Sequence, residues 1–287
     1  VELSVPHAYD DPRRIIEDPA VEAVIICTST DTHAMLIEAA AQAGKHVFCE
    51  KPTDLDLARI DRVLEVVRAS GVTFQVGFNR RFDPSFARAR ELVASGELGA
   101  PQIVRITSRD PAPPPIDYVR VSGGLFLDMA IHDLDMARFL LGDIAEISAS
   151  GHAFIDDIRG IGDIDTCALT LTSPSGATAT ILNSRVCAAG YDQRIEVFGP
   201  KGALEAANLR STSVQFNGAT GTGNAGAYLP FFLERYAAAY TAELDHFLTS
   251  IEAGTAPSPS VADGRAALVL AEAAGQSLAS HAAVAIT

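Results

Sequence analysis

Ala23-Val24-Ile25-Ile26-Cys27 is a short unbroken apolar run, the pattern of a parallel strand covered on both faces. After it, Asp31 is placed to cap a helix whose core face is Ala34, Leu36, Ile37, Ala40 and Ala41, and Gly44 ends that helix. His46-Val47-Phe48-Cys49 predicts a second strand, residues 57–70 a second helix closed by Gly71, and residues 73–76 a third strand. Strand, helix, strand, helix, strand with short links describes a right-handed parallel α/β unit.

Beyond Gly77 the period changes. A helix at 84–95 leads through Gly99 and Pro101 into a strand at 102–108. A proline-rich loop at 111–115 precedes a helix at 127–141. From 144 to 216 strands alternate with the turn signals Ser173-Pro174-Ser175-Gly176, Ala189-Gly190 and Gly199-Pro200-Lys201-Gly202, a spacing that favours an antiparallel sheet. Residues 217–227 read as a loop, followed by helices at 230–253 and 262–281. No internal repeat is present. The pattern divides the chain into a parallel α/β part at 1–78 and an α+β domain at 79–287, with an open, mostly antiparallel sheet and flanking helices.

Composition narrows the function classes. The 287 residues, 48% of them hydrophobic, suffice for one large core or two ordinary ones. A formal net charge of -14 argues against a nucleic-acid binder, which needs a basic face, and would repel an anionic membrane. No apolar run reaches the length of a membrane span and no basic-then-apolar leader opens the chain, so a cytoplasmic protein is expected. Cys27 and Cys49 each end an apolar run and read as buried thiols; none of the four cysteines forms a Cys-x-x-Cys pair.

Two short segments carry chemistry. Glu50-Lys51-Pro52 follows a parallel strand, at the end where open α/β sheets bind ligands, and Pro52 can hold a cis bond that would fix the direction of Lys51. Taken alone, these residues are accounted for slightly better by a solvated Glu-Lys pair at a strand end. The second segment is Gly123-Gly124-Leu125-Phe126-Leu127-Asp128-Met129-Ala130-Ile131-His132-Asp133-Leu134-Asp135. Spacings of i, i+4 and i+7 put Asp128, His132 and Asp135 on one helical face. A histidine one turn from a carboxylate is a workable general base. The competing reading is an N-cap at Asp128 and a satisfied, half-buried His132. A metal site lacks a completing Glu/His/Cys cluster, so no metal is expected.

Together these segments resemble the glucose–fructose oxidoreductase/inositol dehydrogenase family, Gfo/Idh/MocA. The resemblance extends to Thr28-Ser29-Thr30-Asp31-Thr32-His33 and to Gly77-Phe78-Asn79-Arg80-Arg81-Phe82-Asp83-Pro84. Gly190-Tyr191-Asp192, Gly199-Pro200-Lys201-Gly202 and Phe232-Leu233-Glu234-Arg235-Tyr236 look most like the inositol 2-dehydrogenase branch. The resemblance implies that residues 1–78 are the C-terminal part of a Rossmann dinucleotide-binding domain and that 79–287 bind substrate and form an oligomer. It implies Lys51, Asp128 and His132 as the catalytic group. It implies Thr28, Ser29, Thr30, His33, Glu50 and Lys51 on the cofactor, and Asn79, Arg80, Asp135 and Tyr191 on the substrate. The implied cofactor is NAD, with NADP as the alternative, and the implied reaction is oxidation of a secondary hydroxyl of a cyclic polyol. A sugar or sugar-acid dehydrogenase and a non-catalytic sugar-sensing homologue are the rival readings. The open sheet is expected to pair with another copy, giving a homo-oligomer.

The family opens with a strand, a Gly-x-Gly-x-x-Gly turn and a second strand ending in an acidic residue. Here Val1 falls where the third strand of that pattern begins, so the sequence reads as N-terminally incomplete. Gly221-Thr222-Gly223-Asn224-Ala225-Gly226 matches the glycine fingerprint, with Glu243 at about the right distance, but it sits among antiparallel turn signals rather than between a parallel strand and a helix.

Overall fold

The computed structural model describes residues 5–286, in two compact units. The first comprises Val1–Gly77 and Asp245–Arg265, and the second Phe78–Leu244 and Ala266–Thr287. In the first, α1 (Arg13–Ile16), β1 (Ala23–Ile26), α2 (His33–Gln42), β2 (His46–Glu50), α3 (Leu57–Ser70) and β3 (Phe74–Gly77) follow one another. The strands form a parallel sheet in the order β1-β2-β3. Val47, Phe48 and Cys49 of β2 and the whole of β3, Gln75 included, are buried. β1 is an edge: Ile25 is 57% exposed and Cys27 beyond it is exposed, so the expected covering of both faces, and the buried Cys27, do not hold there. Asp31 does not cap α2 but lies inside a 3-10 turn, Thr30–Thr32, ahead of it. α3 is delimited as its sequence dictates, by Asp56 accepting from the Arg59 amide at 3.0 Å and by Gly71 in the left-handed region.

The second unit begins with a 3-10 turn (Asn79–Phe82), α4 (Pro84–Ala94), β4 (Ile103–Arg109) and α5 (Ile116–Val119). The helix expected at 127–141 is two pieces, a π-turn over Phe126–Ala130 and then α6 (Ile131–Leu141). Next come β5 (Glu146–His152), α7 (Asp156–Gly160), β6 (Thr166–Thr172), β7 (Thr178–Ser184), β8 (Asp192–Gly199) and β9 (Gly202–Ala206). Residues expected as a loop instead form a hairpin, β10 (Gln215–Gly218) with β11 (Gly221–Ala225), in which Gly218 pairs with Gly221 across the two-residue turn Ala219-Thr220. The glycine fingerprint lies in this antiparallel hairpin and so has no strand-to-helix turn to form. α8 (Phe232–Arg235), α9 (Ala237–Ala253), α10 (Val261–Ser280) and β12 (Val284–Ala285) complete the chain.

The seven-stranded sheet runs β12-β5-β6-β7-β4-β8-β9, antiparallel throughout except for β4 beside β7. Alternation gives it one apolar face: Val104, Ile106, Leu169, Leu171, Ala179, Ile181, Ile195 and Val197 pack with Leu134, Ala137 and Leu140 of α6. The opposite face carries Ile103 and Phe198, paired in register and 51% and 44% exposed, beside an Arg105–Glu196 ion pair.

The boundary drawn at 78/79 misses a return of the chain. Residues 245–265 belong to the first unit because their apolar and polar partners are there. Phe247 packs edge-on against Phe48 with ring centroids 5.9 Å apart, and Pro259 O accepts from the Val76 amide at 3.2 Å. Arg265 donates to Asp61 at 2.5 Å. Gly264 closes the fit, since a Cβ there would sit 3.0 Å from Thr53 Oγ1 and 3.3 Å from a Val76 methyl.

Candidate active site

In the first unit, the carboxyl ends of three parallel strands bring Thr28, Ser29 and Thr30, then Glu50 and Lys51, then Gly77 to one edge of the sheet. His33 ties this edge together. Its Nδ1 lies 2.8 Å from Pro52 O and its Nε2 3.1 Å from Thr28 O, so it bridges the segments after β1 and β2. A neutral ring carries one N–H and donates to only one of the two carbonyls. His33, which the family resemblance puts on the cofactor, is buried. The Lys51–Pro52 peptide is cis. Burial pushes the Glu50 carboxyl above its ordinary range, against the pull of the Lys51 ammonium. Its carboxylate lies so close to Gly77 that a Cβ there would be 3.0 Å from Glu50 Oε2.

This edge fits the nicotinamide end of a dinucleotide. It offers exposed hydroxyls at Thr28 and Ser29, one carboxylate and one ammonium, at the end of a parallel sheet where such ligands bind.

In the second unit, Asp128 lies in the π-turn and His132 in the first turn of α6. Tyr118 of α5 donates its hydroxyl to Asp128 Oδ1 at 2.8 Å, and Arg185, directly after β7, donates Nη1 to Asp128 Oδ2 at 3.1 Å. Burial, then the Asp128 charge, keeps the Tyr118 phenol protonated well above its ordinary range. The His132 ring stands edge-on to Phe78, centroids 6.1 Å apart. A π-turn closes hydrogen bonds from i to i+5 and so rotates Asp128 away from the simple α-helical register. As a result Asp128 and Asp133 both meet the end of β7: Arg185 holds the first, and Asn183 Nδ2 donates to Asp133 Oδ2 at 2.7 Å.

Asp135, placed by its i+7 spacing on one helical face with the half-buried Asp128 and His132, is fully buried. It is buried in a two-bonded pair with Arg81, at 2.8 and 2.5 Å. Arg80 is likewise buried, donating to Asp133 Oδ1 at 2.5 Å and to Ser108 Oγ at 3.2 Å. Asn79 is buried, and Tyr191 is buried between Phe231 and Tyr236, with centroids 5.5 and 6.0 Å away. Asn79, Arg80, Asp135 and Tyr191, the residues the resemblance put on the substrate, are thus all buried.

Sequence reasoning missed Arg185, Tyr118, Asp133, Arg81 and Asp110. The only signal in the sequence is the doublet Arg80-Arg81 and the alternate acids Asp133 and Asp135, which match in number but not in evident pairing. Asp110, directly after β4, donates its amide to Ser184 O at 2.9 Å. Burial pushes its carboxyl up to about 6, against Arg80 and Arg185, and Asp128 and Asp133 add to the rise. Among the described residues no group of three His, Cys, Asp or Glu could hold a metal ion, and no helix is long and apolar enough to cross a membrane.

Comparison with known proteins agrees with this chemistry. Residues 1–78 match the oxidoreductase family GFO/IDH/MocA, NAD-binding Rossmann fold, and residues 86–205 match the GFO/IDH/MocA C-terminal domain. The chain is 50% identical over 278 residues to a myo-inositol 2-dehydrogenase from Thermotoga maritima, spanning 96% of this chain and 83% of that one. A solved probable dehydrogenase from Thermotoga maritima superimposes with a TM-score of 0.95 at 48% identity, over 97% of this chain and 84% of that one. A scyllo-inositol dehydrogenase from Lactobacillus casei, solved with bound cofactor NAD(H) and scyllo-inositol, has a TM-score of 0.88 at 30% identity, covering 96% of this chain and 84% of that one. The parallel sheet, the open antiparallel sheet and these matches place the chain in the GFO/IDH/MocA family of oxidoreductases, with the NAD-binding Rossmann fold of that family.

Proposed function

We propose that this protein oxidises a secondary hydroxyl of an inositol to a ketone with NAD. The observation that carries the reading is Asp128, held on both oxygens by Tyr118 and Arg185 one turn before His132, in a chain half identical to a myo-inositol 2-dehydrogenase. Bound NAD would supply the acceptor for the hydride of the carbinol carbon. His132 accepts the proton of the reacting hydroxyl, the role an imidazole fills in general-base catalysis. Lys51 places an ammonium at the same oxygen and stabilises the negative charge that develops there. Asp128 accepts a hydrogen bond from a neighbouring hydroxyl and so fixes which carbon reacts. Thr28, Ser29, Thr30 and Glu50 hold the nicotinamide end.

The protein acts as a homo-oligomer in the cytoplasm, without nucleic-acid partners. The support is the uncovered apolar pair Ile103 and Phe198 on the open sheet, the soluble cofactor, and the net charge of -14.

Steady-state assays with myo- and scyllo-inositol, following reduced nicotinamide, test the activity. The expected result is turnover of an inositol with NAD. A sugar or sugar acid oxidised with ten times the kcat/KM of every inositol would replace this substrate, and no turnover of any polyol would remove the catalytic reading.

A further inference from the structure

Arg185 is among the largest side chains the fold buries completely, at 1% exposure. It stands directly after β7, with its amide donating to Asp165 O at 2.8 Å. Its one charged hydrogen bond in the second unit is Nη1 to Asp128 Oδ2 at 3.1 Å; Nε and Nη2 meet no hydrogen-bond partner among the described residues. A buried guanidinium with Nε and Nη2 unbonded is a poor way to stabilise a core, because desolvation offsets most of what its pair with Asp128 and the charge of Asp110 return. An apolar residue of similar size would fill the same volume at lower cost. The other Asp128 oxygen is in different company: Oδ1 takes the hydroxyl of Tyr118, a half-exposed residue of the short helix α5. The carboxylate is therefore divided, with one oxygen fixed to an interior cation and the other turned toward an O–H donor at the surface. A polyol hydroxyl is the same kind of donor.

We propose that Arg185 is a positioning residue for polyol oxidation: it pins Asp128 Oδ2 so that Oδ1 is the oxygen that receives a substrate hydroxyl. The proposal rests on the inositol dehydrogenase reading above. Arg185 acts through Asp128 and touches neither substrate nor cofactor. Strand alternation supports the assignment, because Asn183 and Arg185 lie two residues apart at the end of β7 and bond Asp133 and Asp128 respectively. One strand end thus sets the position of both carboxylates.

The test is a double-mutant cycle on the whole protein with R185M, R185K, D128N and the combined variants, measuring kcat, the KM values for inositol and NAD, and thermal melting. Loss of alignment at Asp128 is expected to lower kcat/KM for inositol by about ten- to a hundredfold in R185M. The KM for NAD stays within about twofold of wild type, and R185K recovers at least several-fold of the loss. On the D128N background the Arg185 change has little further effect, because the carboxylate charge that Arg185 pairs with is gone. If R185M does not fold, the R185K/D128N cycle gives the same reading. Wild-type kcat/KM in R185M, or an undiminished penalty on the D128N background, overturns the proposal while the dehydrogenase reading stands. Absence of polyol turnover in the wild type overturns both.

Discussion

Arg80 donates through Nη1 to Asp133 Oδ1 at 2.5 Å, and both side chains are buried. Asn183 and Ser108 complete the group, so each charge is compensated inside the unit rather than by water. Removing one partner of such a pair leaves the other charge buried alone, at a cost of about 3–5 kcal/mol. Asp133→Ala is therefore expected to lower the melting temperature by about 10 °C or more for a chain of this size. Thermal denaturation by circular dichroism checks this, and an unchanged midpoint would show that the pair does not hold the frame.

Lys51 and His132 are expected to fail differently. Lys51→Ala loses an electrostatic contribution on the order of 3 kcal/mol, about a hundredfold in kcat/KM. His132→Ala loses its proton acceptor, and a small soluble base can stand in for it. Added imidazole is expected to restore part of the rate of His132→Ala and none of that of Lys51→Ala. Equal response of the two variants to imidazole would mean that His132 is not the base.

Asp110 gives the fold a pH dependence of definite sign. Its carboxyl stands at about 6 in the fold against an ordinary 3.8, so the folded state binds this proton more tightly than the unfolded chain does. The stability from that proton is present in full below about pH 4 and is lost as pH rises through about 6. A rise of this size is worth at most about 3 kcal/mol. Asp110→Asn is expected to flatten the stability profile between pH 4 and 6 and to raise stability at pH 7–8 relative to wild type. Urea titrations at pH 4.5 and 7.5 measure it; a variant no more stable than wild type at the higher pH contradicts the burial assigned to Asp110.

The main elements, and the parallel character of the first sheet and mostly antiparallel character of the large one, are legible in the chain without its fold. Apolar runs and alternations need only near neighbours to set them: β2 and α3 with its closing Gly71 lie where their residues predict, and β6 and β7 flank the predicted turn Ser173-Pro174-Ser175-Gly176. The segments around Lys51 and around Asp128 and His132 are each contiguous, and the roles proposed for them come from the family resemblance rather than from local pattern. Which charge meets which is settled only by packing. Adjacent arginines 80 and 81 take alternate acids 133 and 135, more than fifty residues away, and Arg185 reaches Asp128 from 57 residues along the chain. No local pattern distinguishes Arg80–Asp133 from Arg80–Asp135; the packing of α6 against β4 and β7, and the π-turn that rotates Asp128, make the choice. The same holds for residues 245–265, whose helical period is plain in the sequence but whose place in the first unit depends on Phe48, Val76 and Asp61. Periodicity says that a helix has a buried face, and only the completed core supplies the surface that buries it.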